Sequence, residues 1–153
     1  MQRDRYRTQI ADEAQAGRLA DIRVEAMRPS LEAAGRFDPD RARQRFLDSF
    51  RAEDTSLICL GDSVAGFYVV RRKSDHLYLD HLYVIAAFQG LGIGRRVVDD
   101  LKIEAEMHAL PIRLMALNGS PSNDFYQSLG FRVVSADDLD TIYEWLPDSH
   151  SAG

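Results

Sequence analysis

Three glycines fall within five residues of the stretch Gln89-Gly90-Leu91-Gly92-Ile93-Gly94, just ahead of a segment with helical periodicity. Glycine loses more conformational freedom on folding than any other residue, so such a cluster needs a reason. A tight turn requires one glycine. Three suit a backbone that lies close to a ligand, with the unpaired N–H groups of a helix N-terminus aimed at an anion. Arg95 and Arg96 follow, in what would be the first helical turn. Cations there oppose the helix dipole by roughly 0.3–1 kcal/mol each, and a bound phosphate would reverse that sign. Two solvated, tolerated arginines are the plainer reading. The anion explains the glycines and the arginines together and is preferred.

Two familiar phosphate loops are excluded. The dinucleotide fingerprint G-x-G-x-x-G fails because position 95 is Arg counted from Gly90 and position 97 is Val counted from Gly92. The pattern G-x-x-x-x-G-K-[ST] is also absent. Other reactive residue types carry little. Cys59, the one cysteine, lies in the apolar run Leu57-Ile58-Cys59-Leu60 and reads as a buried structural thiol. The four histidines are scattered without metal-ligand spacing, so no metal is expected. A net charge of -5 argues against nucleic acid as a partner. No apolar run approaches the ~20 residues of a membrane helix. Met1–Arg5 leads into a polar segment without the apolar core of a secretory signal, so a cytoplasmic location is expected.

The elements that must position the loop are legible from periodicity. Residues 6–10 suggest a short strand. Asp12 caps a helix to about Met27, with Ala16, Leu19, Ala20, Val24 and Met27 at spacings of three and four, and Pro29 is expected to stop it. Residues 30–37 are expected to form a loop or broken helix. Asp38 and Pro39 open a second helix to about Phe50. The period then changes. Thr55–Leu60, the turn Gly61-Asp62, and Val64–Arg71 read as a hairpin, and His76–Val84 as a third strand. A helix over 92–108 buries Ile93, Val97, Leu101 and Ala105. Then come a strand at 112–117, a short helix at 123–129 ended by Gly130, and strands at 131–135 and 141–145. This order predicts an α+β fold: a mixed, mainly antiparallel sheet flanked by helices. One domain over 1–146 is expected, with a disordered tail at 147–153.

Gln89-x-x-Gly92-x-Gly94 resembles the [RQ]-x-x-G-x-[GA] signature of the GNAT acetyltransferase superfamily. Leu82-Tyr83-Val84 precedes it, and Phe125-Tyr126-Gln127-Ser128-Leu129-Gly130-Phe131 is similar to the family's F-Y-x-x-L-G-F element. The resemblance spans about 55–145, and the helices at 12–50 suit the family's N-terminal part. It implies acetyl-CoA as acyl donor and direct transfer to an amine of a small molecule or peptide. It also implies a splayed central strand pair, with the backbone of Leu82, Tyr83 and Val84 on the pantetheine arm. The pyrophosphate would lie on Gln89, Gly90, Leu91, Gly92, Ile93, Gly94 and Arg95. An asparagine near the end of the fifth strand contacts the cofactor in the family, which points to Asn118 or Asn123; Asn123 also suits a helix cap. Arg28, Glu32 and Arg36 fall where the family covers its acceptor, though solvated charge is the plainer reading. A phase slip supports the splay: Leu77 and Leu79 are odd-numbered, Leu82 and Val84 even, as a bulge near Asp80-His81 would produce. A strand buried on both faces would give the same pattern.

At the reacting centre, an amine of pKa ~10.4 is neutral in only about one molecule in 2,500 at pH 7, a cost of about 4.6 kcal/mol. A general base is therefore useful. Asp80 and His81 are the candidates, each equally readable as structural. Tyr78 stands at a place that is commonly acidic in the family. Tyr126 matches the family tyrosine near the thioester sulfur. A phenol of pKa ~10 gives a proton to a thiolate of pKa ~8.5 uphill by about 2 kcal/mol, so stabilising the thiolate by a hydrogen bond is as reasonable as full donation. The alternative to an enzyme is a non-catalytic acyl-CoA-binding or sensing module; an unrelated nucleotide-phosphate binder ranks third. Acceptor, acyl chain length, pathway and homodimer formation are left open.

Overall fold

The computed structural model describes residues 6–148; the polar leader Met1–Arg5 and most of the expected tail, 149–153, lie outside them. Strands and helices follow in the order β1 (Arg7–Ile10), α1 (Ala16–Ala33), α2 (Pro39–Ser49), β2 (Thr55–Leu60), β3 (Ser63–Arg72), β4 (Leu77–Val84), α3 (Ile93–His108), β5 (Ile112–Leu117), α4 (Ser122–Ser128), β6 (Arg132–Ala136) and β7 (Asp140–Trp145). Hydrogen bonding between strands runs in the order β1-β2-β3-β4-β5-β7-β6. This is the mixed α+β sheet expected from the sequence. The residues fall in two compact units. One comprises the chain up to Val69 and His81–Gly94; the other comprises Val70–Asp80 and the chain from Arg95 onward.

In the first unit, β2 pairs antiparallel with β1 and β3, with Leu57 opposite Gln9 and Phe67. Leu19 and Ala20 of α1 and Phe46 of α2 close over Leu57, Cys59, Phe67 and Val69. Cys59 is the buried thiol expected. Asp38 caps α2 by accepting from Arg41 N at 3.1 Å, with Pro39 in the first turn. Pro29 does not stop α1, which runs through it to Ala33. Proline leaves one carbonyl without its donor, but Ser30-Leu31-Glu32-Ala33 continue the helix and the true stop comes later. Gly35 takes φ +70. Its N–H reaches Glu32 O at 3.0 Å and Arg36 N reaches Leu31 O at 2.8 Å. This pairing of the last carbonyls is a Schellman closure, which only a left-handed residue permits.

In the second unit, β5 lies parallel to β4, with Leu77 opposite Ile112 and Tyr78 opposite Arg113. β4 continues six residues past the second pair. A parallel pair needs a crossover, and α3 supplies it. β7 pairs antiparallel with β5 and β6. Val97, Val98, Leu101 and Ala105 of α3 are buried, as are Ile112, Leu114, Ala116 and Tyr143 of the sheet. Arg72 clasps Glu104 of α3 through two hydrogen bonds, 2.7 and 2.9 Å. At the last described residue, Asp148 N donates to Glu106 at 2.9 Å. No helix among the described residues is long and apolar enough to cross a membrane.

Candidate active site

The first unit holds the glycine loop. β4 ends at Val84, a 3-10 turn covers Ala86–Phe88, and α3 starts at Ile93, whose buried side chain anchors its first turn. The Gln89 side chain folds back and donates to Val84 O at 2.9 Å, fixing the turn. Gly90 and Gly92 have φ +84 and +77, where a Cβ is strained whatever the space around it. Gly94 differs: it lies inside the first turn of α3, where glycine costs about 1 kcal/mol relative to alanine. Backbone conformation thus accounts for two glycines and not for the third. Leu91 is exposed beside them. Arg95 and Arg96 fall in the helix's first turn, which has no acidic residue.

The end of β4 belongs to the same unit. Burial alternates over Leu77–Asp80 and then stops; His81 through Val84 are all half-buried. His81 packs edge-on against Phe46 of α2, with centroids 5.2 Å apart, and Tyr83 packs on Phe67 at 5.5 Å. Nδ1 of His81 lies 3.1 Å from the Tyr83 hydroxyl oxygen. These two side chains share one strand face, leaving Leu82 and Val84 on the other. β3 adds a further residue to the site, Gly66. A Cβ on Gly66 would lie 2.1 Å from Tyr83 O and 3.0 Å from the Val84 Cα. Ile85 N donates to Ala65 O at 2.7 Å just beyond. Only glycine lets β4 lie so close. The signal was available: a glycine inside the apolar run Val64-Ala65-Gly66-Phe67 has no turn to explain it.

Of the acceptor candidates, Arg28 donates to Glu32 at 3.2 Å and lies 5.1 Å from the Phe37 ring centroid. Both partners are exposed, so the pair contributes at most about 1 kcal/mol and can exchange for a ligand. Arg36 is exposed after the helix stop.

The second unit holds the remaining candidates. Arg71 on β3 reaches one carboxylate oxygen of Asp80 from two nitrogens, 3.2 and 3.1 Å away. Asp80 is thus held to the neighbouring strand by a charged pair. No local sequence signal points to this partner. Burial, reinforced by Asp80 and Asp140, pushes the Tyr78 phenol above its ordinary pKa. Tyr78 therefore stays protonated and offers a donor, not a base.

Tyr126 lies on α4, buried, with its ring 5.0 Å from Phe125 and 5.5 Å from Phe131. The helix is held at both ends. Asn123 donates to Leu117 O and Ser120 O at 2.9 and 3.0 Å. Its carbonyl oxygen accepts from the Tyr143 hydroxyl at 2.8 Å, which in turn accepts from Gln127 at 3.0 Å. Asn118 donates to Asp137 O and accepts from Thr141. Both asparagine side chains thus hold the turn between β5 and α4. Gly130 at φ +92 ends the helix as expected. Among the described residues, no group of three or more His, Cys, Asp or Glu side chains is placed to hold a metal.

Comparison with known proteins gives the family and the fold. A family model described as Acetyltransferase (GNAT) domain matches residues 22–147. No curated protein matches the chain in sequence. Among solved structures, PaiA N-acetyltransferase from Thermoplasma acidophilum, in complex with coenzyme A, is similar at TM-score 0.73 and 16% identity, over 93% of this chain and 99% of the other. An acetyltransferase from Thermus thermophilus is similar at TM-score 0.70 and 17% identity, over 95% and 99%. A Bacillus anthracis protein in complex with acetyl coenzyme A is similar at TM-score 0.55 and 19% identity, over 60% and 62%. At these identities the structures speak for the fold, while the family model covers most of the sequence. A glycine loop opening a helix after a strand pressed onto its neighbour, an F-Y-x-x-L-G-F helix locked at both ends and the family match all agree: the chain belongs to the GNAT acetyltransferase family.

Proposed function

We propose that this acetyltransferase moves the acetyl group of acetyl-CoA directly to a primary amine of a small molecule or peptide. The observation that carries the reading is Gly94: a glycine in a helical turn that its backbone conformation does not require, following two that it does. The N–H groups of residues 90–95 suit the pyrophosphate, and the backbone of Leu82–Val84 suits the pantetheine arm. The neutral amine nitrogen attacks the thioester carbonyl, an N–C bond forms, the C–S bond breaks, the thiolate leaves, and the nitrogen gives up one proton to the base. Of the two base candidates, His81 is the better suited, directly or through a water, because Asp80 is committed to Arg71. Tyr126 donates a hydrogen bond to the departing thiolate. Arg28, Glu32 and Arg36 border the acceptor. The setting we propose is the cytoplasm.

A panel of amines with acetyl-CoA, followed by release of the coenzyme A thiol, tests this. Acetylation of at least one amine is expected. Tyr126→Phe should lower kcat and kcat/KM together by about 10- to 1,000-fold, with acetyl-CoA affinity changed less than about threefold. Coenzyme release only by hydrolysis across a broad panel would refute the amine acceptor.

A further inference from the structure

We infer that Lys102 is a positioning residue for Tyr126, acting through the C-terminal end of α4. The inference rests on the proposed role of Tyr126 and extends it to a residue that carries none of the family's signature.

α4 has seven residues, too few to be a stable helix by itself. Its closure is a Schellman pairing: Gly130 N reaches Gln127 O and Phe131 N reaches Tyr126 O, both at 3.1 Å. That pairing leaves the Leu129 carbonyl without a helical partner. Lys102, from the middle of α3, donates its Nζ to that carbonyl. The same ammonium lies 5.3 Å from the Trp145 ring centroid and 5.9 Å from that of Phe131. Phe131 in turn meets the Tyr126 ring edge-on at 5.5 Å. Lys102 therefore touches both the carbonyl that ends the helix and the ring that backs the tyrosine.

A surface lysine ordinarily keeps its ammonium in water. Here burial draws the Lys102 pKa down; Asp99 and Asp148 oppose the shift and Arg95 adds to it. An ammonium held against that loss of water is compensated by the helix-end carbonyl, where the dipole is negative, and by two ring faces. Removing the charge loosens the closure at Leu129–Phe131, while Asn123 and Gln127 still tie the body of α4 to Tyr143. Tyr126 borders that closure, through its carbonyl to Phe131 N and its ring to the Phe131 ring.

The test is a double-mutant cycle in the full chain, with acetyl-CoA and an amine found by the panel. Lys102→Met keeps the apolar stem and removes donor and charge. It is expected to lower kcat about 5- to 50-fold, the scale of a misplacement below 1 Å, with KM for acetyl-CoA within about threefold. Lys102→Arg should recover most of the loss. In the Tyr126→Phe background, Lys102→Met should change kcat less than about twofold, because the hydroxyl it positions is gone. Losses that multiply, or a folded Lys102→Met protein with wild-type kcat, overturn the inference. If Tyr126→Phe alone has no effect, the role of Tyr126 fails first, and any loss from Lys102→Met is then unrelated to it and overturns the inference too. If Lys102→Met does not fold, Lys102→Gln, which keeps a donor without the charge, is judged by the same criteria.

Discussion

Gly66→Ala adds a single methyl group at a place where β4 leaves no room for it. The added Cβ would meet Tyr83 O at 2.1 Å, where ordinary contact begins at 3.4 Å, a deficit of 1.3 Å (3.4 minus 2.1). The obstacle is backbone, so no rotamer change relieves it. Either β3 and β4 separate or the Tyr83–Val84 segment turns. Overpacking of this kind costs about 1–3 kcal/mol, which in a chain of this size lowers Tm by roughly 2–12 °C. On the proposed reading, a shift of about 1 Å also breaks one or two of the hydrogen bonds that Leu82–Val84 would offer to the pantetheine arm. At a net 0.5–1.5 kcal/mol each, losing two raises KM for acetyl-CoA roughly 5- to 150-fold. Gly92→Ala is the contrast. Nothing lies within 4 Å of its Cβ, and its φ of +77 supplies the whole penalty. That strain of about 1–2 kcal/mol falls on the loop and leaves the sheet intact. Calorimetry with and without acetyl-CoA, together with steady-state KM, reads both variants. A Gly66→Ala protein with wild-type Tm and wild-type KM would refute the close approach as a determinant of the strand's geometry.

Further expectations concern charge. Arg95→Ala should weaken coenzyme A binding more than it weakens binding of a pantetheine analogue without the pyrophosphate, measured by titration calorimetry; equal losses would place Arg95 away from the phosphates. Glu104 is held below its ordinary pKa by the hydrogen bonds and charge of Arg72, with burial opposing. A depressed carboxylate adds stability that is fully present above its unfolded value of about 4.3 and is lost as pH falls through the lower folded value. Glu104→Gln should therefore be less stable than wild type at neutral pH, by about 1 kcal/mol or less at this exposure. The gap should close in acid. A gap independent of pH would mean that packing, not charge, is at stake.

What the sequence determined by itself is local. The helical spacing of Ile93, Val97, Leu101 and Ala105, the hairpin around Gly61, the helix stop at Gly130 and the helix start at Asp38-Pro39 depend on interactions within a few residues. The glycine loop was legible for the same reason: the residue types that a left-handed backbone and a helix start demand stand next to one another in the chain. Pro29 misled because its local rule competes with a helix end placed six residues later at Gly35, and the better closure prevailed. The tertiary structure decided what depends on strand register and on helix placement. Arg71 meets Asp80 across nine positions, Gly66 meets Tyr83 across seventeen, and Lys102 meets Leu129 across twenty-seven. The side-chain partners of Asn118 and Asn123 at the turn between β5 and α4 came from the same source, because Thr141, Asp137 and Tyr143 lie further along the chain. A side chain's type limits what it can bond, but only the folded backbone selects the partner, since the groups that satisfy it come from segments whose separation along the chain carries no local signal.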